Sequence, residues 1–138
     1  MVERKLISAL ITSIVSFFIF PFLFVDSNNS FLSIAFQLTA YTVPVIFTYG
    51  LLFSSLADWI AKNWKNREGI SCLLHLTFGS LIIVPAMLLG WGPENHLLSF
   101  NMVIVTAGFI LGGIFFLADL FLQKVVSRLT KYENRYEL

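Results

Sequence analysis

The chain has 138 residues, of which 57% are hydrophobic, 16% aromatic and 12% charged, with a formal net charge of +1. Soluble domains run at roughly 25% charged and 45–50% apolar, and a water-soluble core built from so short a chain is too small to hide this many Leu, Ile and Phe side chains. A balance so near neutral leaves no footprint for nucleic acid, and the single cysteine, Cys72, excludes an intrachain disulfide, a paired-cysteine redox motif and a four-cysteine metal site.

Four apolar segments follow one another: Leu6 to Val25, Phe31 to Leu56, Ile70 to Gly90, and Phe100 to Ala118, the last continuing to about residue 122. A hydrocarbon core of about 30 Å needs about 20 helical residues, which each segment comes close to or exceeds. Lipid offers no hydrogen-bond partners, so segments this long and continuous satisfy their own backbone as helices. The stretches "DSNNS", "KNWKNREG" and "WGPENHLLS" punctuate them, and loops this short join antiparallel neighbours. The expectation is an all-α integral membrane bundle of four transmembrane helices over residues 1–122, with spans of about 6–25, 31–56, 70–90 and 100–122. A tail, 123–138, follows it. The first span starts behind "VERK" as a signal peptide would, but its apolar run is too long and no small-x-small site follows, so it is expected to stay as an anchor. Asn28-Asn29-Ser30 matches a glycosylation acceptor in form only, since its short loop is pressed against the bilayer. The second segment is longer than a straight span requires, which leaves room for tilt or for a kink at Pro44.

All nine basic residues fall on one side of this threading: Arg4 and Lys5; Lys62, Lys65 and Arg67; Lys124, Arg128, Lys131 and Arg135. By the positive-inside rule both termini and the middle loop are cytoplasmic, and the chain belongs in the cytoplasmic membrane as a multi-pass protein. Trp59 and Trp64 on the inner side and Trp91 on the outer side suit aromatic belts. Pro21 and Pro85 at matching depths, and Leu-Ala-Asp closing spans two and four, sketch a faint parallel repeat.

The two Leu-Ala-Asp endings put carboxylates where hydrocarbon stops. Asp58 precedes Lys62 by four residues and Asp119 precedes Gln123 by four, the spacing at which helical side chains meet. One reading is that both aspartates mark the cytoplasmic boundary, where a charge costs little. The other is a proton or cation relay, because ionisable residues inside spans mark transport paths. His75 lies at a depth similar to that of Asp119, and a histidine held by a carboxylate titrates near neutral pH. Asp58, His75 and Asp119 are therefore the candidate relay residues, against the plainer reading of His75 as a histidine bonded to a neighbouring helix. Cys72, on the same helix face, reads as a small packing residue.

Gly108 and Gly112 form a small-xxx-small strip that admits another helix closely, from spans one to three or from a second copy. "FFIFPFLF" in span one reads as lipid-facing bulk. In the tail, Lys124, Arg128, Lys131 and Arg135 recur at helical spacing beside Val125, Leu129, Tyr132 and Tyr136. That pattern is an amphipathic helix continuous with span four, whose cations suit anionic lipid at about 1 kcal/mol each or a partner's docking face. There is no Gly-rich phosphate loop, HExxH, CxxC or GxSxG, and His75 and His96 fall on opposite sides of the threading. No enzyme activity, cofactor, metal or nucleic-acid partner is expected. The expected partners are the bilayer and either another membrane protein or a second copy.

With four spans, inward termini, Phe-rich helices, Leu-Ala-Asp endings and a basic tail, the chain resembles the small uncharacterised four-span membrane proteins of Gram-positive bacteria, a family of unknown function. The resemblance implies the fold and transfers no active site. Small multidrug exporters share the size, but their first-span glutamate has no counterpart between Leu6 and Val25, and holins share the short multi-span form with a basic tail. Two functions follow as expectations. One is an accessory or interaction protein; the other is a small proton-coupled transporter or pore using Asp58, His75 and Asp119.

Overall fold

The structure is a computed structural model that describes the backbone of residues 2–24, 30–82, 84 and 97–136, and the side chains of 2–22, 30–82, 84 and 102–129. Among the described residues the chain is all-helical. Helix α1 is Val2–Phe24, α2 is Phe31–Val45, a π-helical turn occupies Ile46–Gly50, α3 is Leu51–Ala61, α4 is Arg67–Ser80 and α5 is Leu97–Tyr136. Ser30 caps α2 by accepting a hydrogen bond from the Ser33 backbone N–H at 3.3 Å, and Asn66 caps α4 by accepting one from Gly69 N–H at 3.3 Å. Each cap satisfies a donor that the first helical turn leaves free.

Among the described residues, three helices are long and apolar enough to cross a membrane: Val2–Phe22, the continuous α2–α3 run Phe31–Ala61, and Met102–Leu129. The third sequence segment enters the described structure as α4, and its remainder, Pro85 to Gly90, lies outside the described residues, as do Asn28, Asn29, Trp91 and His96. The long second segment carries its irregularity just past Pro44, as the π-helical turn. Proline there cannot donate to the carbonyl one turn back, and Thr48 Oγ1 donates to the Pro44 carbonyl at 2.7 Å. Helix α5 spans 40 residues, or about 60 Å, twice the thickness of a hydrocarbon core. It passes residues 122 and 123 without interruption.

The distribution of side chains is inside-out relative to a soluble protein. On α1, Leu6, Ile7, Leu10, Ile14, Phe18 and Phe22 are exposed, while Lys5, Ser8, Ala9, Thr12, Ser13 and Ser16 are buried. Lipid accepts the apolar face at no cost, so the interior is left to small residues that let backbones approach and to polar ones that pair. Thr12, Ser13 and Ser16 each donate to a carbonyl of their own helix at 2.8 Å. "FFIFPFLF" is accordingly split: Phe18 and Phe22 are exposed, but Phe20 and Pro21 are buried. Ala9, Ile46 and Phe115 form a small apolar cluster in the interior.

Helices α4 and α5 meet along a glycine seam. A Cβ on Gly79 would strike the carbonyl oxygen of Gly108, one on Gly108 would strike that of Gly79, and one on Gly112 would strike that of His75. The strip Gly108-x-x-x-Gly112 therefore faces α4 of the same chain. Gly79 is the partner that completes it.

Candidate functional site: a buried charge lock

The chemistry gathers at one end of the bundle. Arg4 and Lys5 come from the first turn of α1, Ser54 and Asp58 from α3, Ser71 and His75 from α4, and Asp119 from α5. Lys5, Asp58, His75 and Asp119 are 3%, 7%, 4% and 4% exposed, so they are interior groups and not rim groups.

Lys5 is the centre. Its ammonium donates to Ser54 Oγ at 2.6 Å and to Asp119 Oδ2 at 2.8 Å, and pairs with Asp58 Oδ2 at 2.7 Å. An ammonium has three N–H bonds, and all three are used. Arg4 lays its fork on Asp119, with Nε 2.8 Å from Oδ1 and a terminal nitrogen 3.1 Å from Oδ2. That nitrogen is also 3.3 Å from Asp58 Oδ2. Ser8 Oγ lies 3.3 Å from Asp119 Oδ1, and Ser71 Oγ donates to Asp58 Oδ1 at 3.0 Å. Two cations thus face two carboxylates. Among the described residues no buried side-chain nitrogen or oxygen lacks a hydrogen-bond partner.

His75 closes the network through a chain of hydrogen bonds. Its Nδ1 lies 2.7 Å from the Ser71 carbonyl, which can only accept, so Nδ1 carries the proton. Nε2 shares a hydrogen bond of 2.8 Å with Ser54 Oγ, which also accepts from Lys5. Lys5, Ser54, His75 and the Ser71 carbonyl thus form one continuous hydrogen-bonded chain. Beyond His75 and Ser54 lies a cavity of about 60 Å³, also walled by Thr12, Tyr49, Phe78 and Phe115. Tyr49 donates its hydroxyl hydrogen bond to the Phe78 carbonyl at 2.8 Å.

The structure brings the candidate relay residues Asp58, His75 and Asp119 into this one network. It does not pair them as their helical spacing suggested. Asp58 turns inward to Lys5 and Arg4, leaving Lys62 exposed, and Asp119 does the same, leaving Gln123 and Lys124 exposed. The reason is dielectric: an interior cation has far more to gain from a carboxylate than a solvated one on the helix surface. Gly108 and Gly112 hold α4 against α5, which sets His75 beside the helix that carries Asp119. Lys124 and Arg128 are exposed on α5, while the side chains of Lys131 and Arg135 lie outside the described residues. The residues that sequence reasoning missed are Arg4, Lys5, Ser8, Ser54 and Ser71.

These features define a class: an all-helical protein with three helices fit to cross a membrane and a neutralised charge cluster sealed inside one end. Comparison with family models, with characterised proteins and with solved structures returns no match.

Proposed function

We propose that this is a four-span protein of the cytoplasmic membrane, with both termini inside, acting as an accessory protein that presents a rigid basic helix at the inner surface. One observation carries it: α5 leaves the lock at Asp119 and runs on unbroken to Tyr136, about 25 Å further, with Lys124 and Arg128 exposed. The four-span threading is supported by the lock itself, which joins the start of α1, the end of α3 and Asp119 at one end, the end that carries every basic residue. The pairing of both carboxylates supports a fixed support for the arm over a cation path, because every oxygen of Asp58 and Asp119 already has a partner.

The test is lipid selectivity. With the protein in nanodiscs of mixed neutral and anionic lipid, the retained anionic lipid is counted by native mass spectrometry. Truncation after Gln123 is expected to remove the anionic preference and leave insertion intact. Equal retention by both chains refutes the arm. A second reading, proton-coupled transport or a pore through Asp58, His75 and Asp119, draws on the cavity that abuts His75 and Ser54. Proteoliposome proton flux lost in both Asp119→Asn and His75→Ala favours it, and no flux at any pH refutes it.

A further inference from the structure

We propose that the outward side of α2 around Gln37 is a self-association surface, where a second copy of this chain docks and the two Gln37 amides pair. The inference rests on the reading of the long apolar helices as membrane spans and needs neither the arm nor transport to be right.

The α2–α3 run is the least covered of the three long apolar helices: 11% of its most apolar stretch is buried, against 44% for α1 and 28% for Met102–Leu129. Among the described residues α3 packs on α4, while α2 packs chiefly on α1 and turns its other side outward. Ser33, Gln37, Ala40 and Pro44 are all exposed and recur at spacings of 4, 3 and 4, which puts them on one face. Gln37 is out of place there. Among the described residues nothing bonds to its amide, although every buried side-chain nitrogen and oxygen in the same protein has a partner.

Depth denies the amide water as well. The Phe31 ring lies 5.1 Å from that of Phe22, and the Phe36 ring 5.6 Å from that of Phe17. Gln37 follows Phe36 and is therefore level with Phe17, seven residues short of the end of α1 at Phe24, or about 10 Å along the helix. A glutamine side chain is too short to carry its amide across that distance. Two N–H bonds and a carbonyl are thus left facing hydrocarbon, where only another spanning helix supplies partners.

The chemistry of the face selects a second copy. An amide both donates and accepts, so two Gln37 side chains related by a two-fold axis along the membrane normal exchange a pair of hydrogen bonds, the N–H of each donating to the carbonyl of the other. Copies inserted the same way carry Gln37 at the same depth, so the pairing needs no shift of one against the other. Ser33 and Ala40, on either side of Gln37, are short enough to let the two helix axes approach as that contact requires. Helix α2 contains no Asp, Glu, Lys or Arg, so the face offers nothing to a partner recognised by charge. The Gly108 and Gly112 strip, the other surface suited to a second copy, is already taken by α4.

The experiment counts copies in a bilayer. The full chain, in a Cys72→Ser background, carries Ser33→Cys on this face or Leu73→Cys on the exposed side of α4, and is reconstituted in neutral-lipid vesicles. Resistance to alkaline carbonate extraction is read first: a chain that it releases overturns the spanning reading together with this inference. For a retained chain, oxidation by copper phenanthroline in air is expected to cross-link Ser33→Cys into a dimer and to leave Leu73→Cys monomeric. Energy transfer between donor- and acceptor-labelled copies, attached at the exposed Trp64→Cys, gives the dimer dissociation constant, which Gln37→Leu should raise by about tenfold or more. A retained parent that stays monomeric at every protein-to-lipid ratio overturns the proposal alone and would assign Gln37 to the spanning helix of a different protein. So does a dimer that Gln37→Leu leaves as strong as before, or one that cross-links equally through Leu73→Cys. Should Gln37→Leu fail to insert, Gln37→Met replaces it, with the same outcomes.

Discussion

Neutralising two opposite members of the lock should cost less than the sum of neutralising each alone. Lys5→Met keeps the side-chain volume but removes an ammonium with three partners, leaving Asp58 and Asp119 to share Arg4. Asp119→Asn leaves Lys5 and Arg4 facing Asp58 alone. Breaking a buried pair from either side costs about 3–5 kcal/mol, because the stranded charge has already lost its water. In the double variant Arg4 faces Asp58 and balance returns, so the two costs should not add. A coupling of about 2–3 kcal/mol is expected, at the upper end for residues in direct contact. Reversible unfolding in detergent, followed by circular dichroism at neutral pH for the parent, both singles and the double, gives the four free energies. Additivity within about 0.5 kcal/mol would show that Lys5 and Asp119 do not depend on one another, and the lock as described would be wrong. The coupling should also resist salt, since buried pairs are screened far less than exposed ones.

The glycine seam makes a steric prediction: Gly112→Leu forces the α4 and α5 backbones apart and should destabilise by at least the roughly 1–3 kcal/mol of an overpacked core, measured by the same unfolding assay. Gly113→Ala is the control, because the added carbon meets only the end of the Leu76 side chain at 3.3 Å, and it should cost well under that. Asn66→Ala removes the cap of α4 and should cost about 1 kcal/mol, with faster hydrogen exchange confined to the amides of Gly69 and Ile70. Replacing Lys124 and Arg128 by glutamine should weaken anionic-lipid preference by about 2 kcal/mol, roughly thirtyfold, and the loss should shrink as salt rises.

Much of the fold can be read from hydrophobic run lengths, because a segment of some 20 apolar residues has few options besides a spanning helix. The three candidate residues were visible for a similar reason: depth along a helix follows from counting, and Asp58, His75 and Asp119 count to the same end. Rotation about the helix axis does not follow from counting in helices that are apolar nearly all round. Spacing along the chain therefore points Asp58 to Lys62, four residues on, whereas its partner is Lys5, fifty-three positions earlier. Arg4 and Lys5 were read as topology signals, which any basic residue near a span end can be. A signal was present in α1, where Arg4, Ser8, Thr12 and Ser16 recur every fourth residue as a polar stripe in an otherwise apolar helix. The π-helical turn had a weaker sign in Pro44, which marks where a helix is disturbed without saying how.

The lock ties Arg4 and Lys5 of α1 to Asp119 of α5, and synthesis reaches that carboxylate 114 residues after Lys5. Until then Lys5 has one acid and a competing arginine, so a chain cut short before Asp119 leaves the membrane holding an ammonium without an adequate counter-ion. The pairing is thereby ordered in time: Lys5 gains its second carboxylate only once α5 has been made, and until then α1 carries more cation than its partners neutralise.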